Sequence, residues 1–157
     1  MYNESQEHSF SSTMKFLLIS LIVLQSLGLL SGLFALVKSF SPTNAYEEVL
    51  QAPWIAIVTV VGKALAIAGG VIMLNQKAWK GFHLYLAGKA LSFGIPTIMN
   101  LVYMDTMMEY LRLAFAEAGL SVTAGLIQGV LIGSTIMGLV FTSLWPILIF
   151  NRRSEFP

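Results

Sequence analysis

The sequence WIAIVTVVGKALAIAGGVIML, residues 54–74, is an apolar run interrupted by a single charge, Lys63. At a rise of 1.5 Å per residue, about 20 apolar residues form a helix that crosses the roughly 30 Å hydrocarbon core of a bilayer. The stretch therefore predicts a transmembrane helix, and its lysine falls near the middle of the membrane.

Three further apolar runs are long enough to span a bilayer: Phe16–Val37, Phe82–Met104 and Ala124–Phe150. Only 11% of the 157 residues are charged, whereas soluble domains have about 25%. These features predict an all-α integral membrane protein, a four-helix transmembrane bundle over residues 14–151. Residues 1–13 are expected to be a disordered tail, and residues 152–157 a second short tail.

Lysine and arginine in the loops predict the orientation of the spans. One side collects five of them, and the other collects two. The first group is Lys15, Lys77, Lys80, Arg152 and Arg153; the second is Lys38 and Arg112. This difference favours cytoplasmic termini. The expected location is a bacterial inner (plasma) membrane.

Two loops predict short extracytoplasmic helices at the membrane interface. In residues 39–53, Asn44 is a candidate helix cap with Glu47 as its reciprocal partner. Residues 104–119 are amphipathic: at helical spacing, their apolar residues share one face and their charged residues share another. The segment ends at Gly119, and glycine favours helix termination.

Glycines at four-residue spacing indicate close helix packing, because helices in lipid associate through small residues. Gly125, Gly129 and Gly133 form such a ridge, and Gly28 and Gly32 form a shorter one. The ridge of three is expected either to pack inside the bundle or to face another subunit, which is the same chain or another membrane protein.

Lys63, Lys89 and Gln25 all fall near mid-bilayer, and no span contains a carboxylate that could pair with the lysines. Tyr85 and Ser92 share a helix face with Lys89. These five residues are the candidate ligand-binding set. The alternative is purely structural, with Lys63 leaning outward and Lys89 inward toward the membrane surfaces. A local echo, GKALAIAG at 62–69 and GKALSFGI at 88–95, places both lysines at equivalent positions.

The composition excludes several classes of function. There is no cysteine, the two histidines are far apart, and the net charge is +1. We therefore expect no metal, no cofactor, no nucleic-acid partner and no catalytic residues. The lipid bilayer is the expected partner of the apolar spans. The leading hypothesis is a non-enzymatic subunit or accessory factor of a membrane assembly. The alternatives are a small transporter or channel-like oligomer, or a binder of lipid or anionic ligands through Lys63 and Lys89.

Overall fold

The computed structural model describes residues 10–42 and 52–156, which form helices and no strands. The helices are α1 (Ser12–Ser39), α2 (Pro53–Gln76), α3 (Lys80–Lys89), α4 (Ile95–Val102), α5 (Met104–Glu117) and α6 (Ala124–Phe150). A π-helical segment, Ala90–Gly94, joins α3 to α4, and a 3₁₀ turn, Arg153–Glu155, follows α6.

Three of these helices, α1, α2 and α6, are long and apolar enough to cross a membrane. The protein is therefore an all-helical membrane protein. The predicted helix around Asn44 and Glu47 lies outside the described residues.

The third apolar run is broken into α3, the π-helical segment and α4. Pro96 has no backbone N–H, so the regular hydrogen-bond ladder fails around it. The Ile95 N–H instead donates to the Ala90 carbonyl, five residues back. The irregularity next to Pro96 takes the form of a π turn just before it.

The predicted stop at Gly119 is confirmed. Its φ is +72°, a left-handed conformation that glycine adopts without strain. The Gly119 N–H donates to the Ala116 carbonyl, and the Leu120 N–H donates to the Phe115 carbonyl. These two bonds close the end of α5 in the Schellman pattern.

The tightest packing lies between the antiparallel helices α2 and α3 and rests on four buried glycines. Gly62 lies against Gly88, and Gly69 lies against Gly81. A Cβ built at Gly69 would lie 2.5 Å from the Gly81 carbonyl oxygen and 2.5 Å from the Tyr85 backbone nitrogen. Only glycine permits backbones to approach this closely.

The predicted glycine ridge of α6 does not pack against the rest of the described chain. A Cβ at Gly125, Gly129 or Gly133 would meet no described atom within 4 Å. The described residues therefore show no intramolecular contact at this ridge. The shorter ridge does lie inside the bundle, with Gly28 and Gly32 next to Lys63.

Residues 10 and 11 contact the turn that follows α6. Phe10 is 4% exposed and its ring lies edge-on to Phe156, 4.9 Å between centroids. The Ser11 N–H and hydroxyl donate to the Glu155 carboxylate at 2.9 and 3.0 Å. Among residues 10–13, Phe10 is covered by the turn that follows α6, whereas residues 11–13 are exposed.

Candidate functional site

The two intramembrane lysines have different surroundings. The Lys63 ammonium donates a hydrogen bond of 2.5 Å from its Nζ to the Gly28 carbonyl oxygen of α1. The missing side chains of Gly28 and Gly32 make room for this lysine: a Cβ at these positions would lie 3.4 and 3.7 Å from its Nζ. Lys63 therefore links α2 to α1.

Lys89 instead lines a cavity of about 330 Å³ between α1, α3 and α6, which we call the Lys89 cavity. α1 contributes three residues to its lining, α3 two and α6 three. They are Leu21, Leu24 and Gln25; Tyr85 and Lys89; and Phe141, Thr142 and Trp145. Within the described residues, the Lys89 ammonium has neither a carboxylate partner nor a hydrogen-bond acceptor.

Each polar group of the Lys89 cavity can donate a hydrogen bond, and the amide and the two hydroxyl groups can also accept one. Lys89 supplies an ammonium, Gln25 an amide and Tyr85 a phenol, while Thr142 adds a hydroxyl. The indole N–H of Trp145 is buried and has no acceptor in the described part of the chain. A set of this kind matches a ligand that offers oxygen acceptors and a negative charge.

The packing of α3 explains how these side chains are placed. Gly81 and Gly88 hold one face of α3 tightly against α2. Tyr85, which is 1% exposed, belongs to the main hydrophobic core, and Lys89 follows it by one helical turn. The rigid α2–α3 pair thereby directs Lys89 toward α1 and α6.

The structure brings together three of the five predicted ligand-binding residues: Gln25, Tyr85 and Lys89. Lys63 is held by Gly28 and does not line the Lys89 cavity. Ser92 lies in a separate cavity of about 200 Å³ with Thr59 and Pro96. Its separation from Lys89 follows from the π turn, because the extra residue in the turn changes which residues share a face.

Thr142 and Trp145 were missed by sequence reasoning. Trp145 lies near the end of an apolar run, where a tryptophan is typical of an interfacial anchor. A threonine in a transmembrane helix commonly bonds its own backbone and indicates no site. Only the packing of α6 beside α1 and α3 shows that both residues face Lys89.

The described residues contain no cluster of histidine, aspartate and glutamate that could hold a metal ion. No family model, no curated protein and no solved structure matches this chain. The role of this membrane protein therefore has to be inferred from its own residues.

Proposed function

We propose that this protein binds an anionic ligand inside the membrane, with Lys89 as the charged contact. One contrast carries the proposal. Lys63 and Lys89 occupy equivalent positions in the echoed segments, yet Lys63 has an acceptor at Gly28, whereas Lys89 has none in the described chain and lines a donor-rich cavity.

The free-energy cost of placing Lys89 inside the membrane favours a bound partner. A lysine at the centre of a transmembrane helix costs about 2.5–3.5 kcal/mol on insertion scales. An anion with oxygen acceptors would offset this cost through a charge-assisted hydrogen bond. Binding needs no chemical step, so a non-enzymatic role is part of the proposal.

The test is co-purification in a mild detergent, followed by mass spectrometry of the small molecules that remain bound. We expect an anionic molecule at near-stoichiometric amount with the wild-type protein and its loss with Lys89→Met. Lys63→Met is the matched control and should retain it. Equal amounts bound to wild-type and Lys89→Met would overturn the proposal.

The proposal includes a four-span threading with cytoplasmic termini, for which the ends of the helices supply support. The Phe156 ring, which follows α6, lies edge-on to Phe10, which precedes α1. It also lies edge-on to Trp79, between α2 and α3, with 5.2 Å between the ring centroids. These three points share one side of the protein. For α6 to end on that side, it has to start on the other side of the membrane. Residues 80–102 then cross away from the side of Trp79, and α5 lies at the far interface.

Because the chain has no cysteine, single introduced cysteines test this threading. Ser41→Cys and Ser121→Cys should react with an impermeant maleimide in intact cells. Gln76→Cys and Ser154→Cys should react only after permeabilisation. Reaction of both Ser121→Cys and Ser154→Cys in intact cells, or of neither until permeabilisation, would contradict the threading.

A second candidate function, a subunit of a membrane assembly, is favoured by the uncovered glycine ridge of α6. We propose a second copy of this chain as the occupant, because small residues let two such helices approach closely in lipid. Gly129→Leu should then abolish a cross-linked dimer while the helical content of the monomer is retained. A wild-type protein that is monomeric in bilayers would exclude this function.

A further inference from the structure

The Lys89 cavity is bordered by residues that face lipid. Leu24 on α1 is 48% exposed and Phe141 on α6 is 60% exposed, and both line the cavity. In α6, Ile127 and Ile149 are the buried residues among those described, so this helix is held loosely over most of its length. The gap between α1 and α6 therefore opens sideways toward the acyl chains.

The depth of Lys89 limits what can reach it. Nine residues separate Lys89 from Lys80 at the start of α3, about 13–14 Å at the helical rise. A soluble anion would have to cross hydrocarbon to reach this depth. A phosphodiester lipid would have to draw a permanently charged headgroup away from the interface, at a high desolvation cost.

A carboxylic acid on a single alkyl chain avoids both obstacles. A low-dielectric environment favours the neutral form of a carboxyl group, so such a head can leave the interface without carrying a charge. Next to the Lys89 ammonium the carboxylate is the favoured form. A neutral acid that meets the neutral Lys89 amine transfers its proton to the nitrogen, which gives a carboxylate–ammonium pair without a change in total charge.

We propose that the ligand of the Lys89 cavity is a single-chain carboxylate amphiphile of the fatty-acid class, which enters from the bilayer between α1 and α6. This inference rests on the proposed function and specifies its ligand. The carboxylate accepts from Lys89, and Gln25 and Thr142, which line the same cavity, are the donors for its second oxygen. The alkyl chain leaves between Leu24 and Phe141.

The size of the cavity agrees with this class. Its volume of about 330 Å³ is at the lower end of the range for ligand pockets. A carboxylate and its first methylene groups fill such a space, while the rest of a single chain remains in lipid. A bulky headgroup carrying two chains would need α1 and α6 to separate.

The experiment uses the full chain in nanodiscs of phosphatidylcholine, with empty discs subtracted. Labelled palmitate is titrated, and hexadecanol, which has the same chain length without the carboxylate, is the matched ligand control. Phosphatidylglycerol discs and soluble acetate are the other arms. Binding and the melting temperature from circular dichroism are both recorded.

We expect palmitate to bind and to raise the melting temperature, because a ligand that prefers the folded state stabilises it. Hexadecanol and Lys89→Met should each lower the affinity at least about tenfold, which corresponds to about 1.4 kcal/mol. Lys63→Met should stay within about twofold. Thr142→Val, which preserves shape, should weaken binding without changing the helical content, so the test does not depend on the folding of Lys89→Met.

The different ligands test the class of ligand and the role of Lys89 separately. Binding of phosphatidylglycerol or acetate that depends on Lys89, without binding of palmitate, would overturn the single-chain ligand and leave the proposed function standing. Palmitate affinity that is equal in wild-type and Lys89→Met would overturn the placement at this cavity. Absence of Lys89-dependent binding in every arm would overturn both.

Discussion

Lys63 shows how a charged side chain is accommodated inside a bundle without a carboxylate. Its ammonium crosses from α2 to the Gly28 carbonyl, which is accessible because Gly28 and Gly32 have no side chains. Lys89 has an equivalent place in the sequence but lies beside a cavity. The proposed ligand site is therefore at Lys89, because Lys63 already has an acceptor in the described chain.

Replacing the two lysines should have different effects on the ligand-free protein. Lys63→Met loses a hydrogen bond, worth about 0.6 kcal/mol on average within membranes, but also removes a charge from a low-dielectric site. These effects oppose each other, so we expect a change in the free energy of unfolding of less than about 1 kcal/mol.

Lys89→Met should stabilise the ligand-free protein relative to Lys63→Met, because it removes an uncompensated charge without losing a hydrogen bond. Unfolding in SDS followed by circular dichroism measures both variants. A Lys63→Met variant that is more stable than Lys89→Met would contradict this account of the two side chains.

At the scale of the elements, two helix contacts differ in kind. α2 and α3 approach through Gly62 with Gly88 and Gly69 with Gly81, so their backbones are close and their relative position is fixed. On α6, Gly138 lies near a side chain instead: a Cβ there would be 3.2 Å from the Phe93 ring. The rigid pair positions Tyr85 and Lys89, while α6 closes the cavity from the other side.

Alanine substitutions distinguish these contacts. Gly69→Ala would place a Cβ against the α3 backbone, and the resulting overpacking should cost about 1–3 kcal/mol of unfolding free energy. Gly129→Ala meets nothing within 4 Å and should be neutral or slightly stabilising, since alanine favours a helix over glycine by up to about 1 kcal/mol in water.

Thermal unfolding of monomeric protein in detergent is the measurement for both glycine variants. Equal destabilisation by Gly69→Ala and Gly129→Ala would show that the α2–α3 contact is not the tight one. The same reasoning predicts that Gly138→Leu destabilises the monomer more than Gly129→Leu, because only Gly138 lies next to another helix segment.

At the scale of the whole molecule, the two chain ends close one end of the bundle. The Ser11 hydroxyl caps α1 by accepting from the Met14 N–H at 3.2 Å. Glu155 accepts from the Ser11 N–H and hydroxyl and pairs with Arg152 at 2.9 Å. The Phe156 ring lies edge-on to both Phe10 and Trp79 in the same region. The end of α6 is thereby attached to the beginning of α1.

This closure should depend on pH through Glu155. Desolvation is the largest single effect and acts to raise the pKa of its carboxyl group. The hydrogen bonds from Ser11 and Arg152 and the charge of Arg152 together outweigh it, so the pKa is lowered overall. A lowered pKa contributes stability above the ordinary glutamate value of about 4.3. That contribution is lost as the pH falls through the lower, folded-state value.

The melting temperature should therefore fall more steeply for wild-type than for Glu155→Gln as the pH is lowered from about 5 to about 3. The neutral amide of Glu155→Gln removes the titrating group. Glu117→Gln, at the exposed end of α5, is the control and should retain the steep fall. Parallel curves for wild-type and Glu155→Gln would show that the attachment of the two ends contributes no pH-dependent stability.

The sequence by itself determined the helical class and the helix stop at Gly119, and three of the four spans that it predicts are long apolar helices. These are local properties: hydrophobic length follows from the bilayer thickness, and a left-handed helix end follows from the absence of a side chain on glycine. It also singled out Lys63 and Lys89, because a charge in an apolar run is visible without any knowledge of packing.

Only the tertiary structure decided which residues meet. The ridge at Gly125, Gly129 and Gly133 has the spacing of a packing surface but contacts no described neighbour, whereas Gly69 and Gly81 form a close contact. Likewise, Thr142 and Trp145 join Lys89 although no pattern marks them. In lipid, a face of small residues or a polar side chain permits close contact with another helix. Which helix it contacts depends on how each helix is rotated about its own axis in the folded protein.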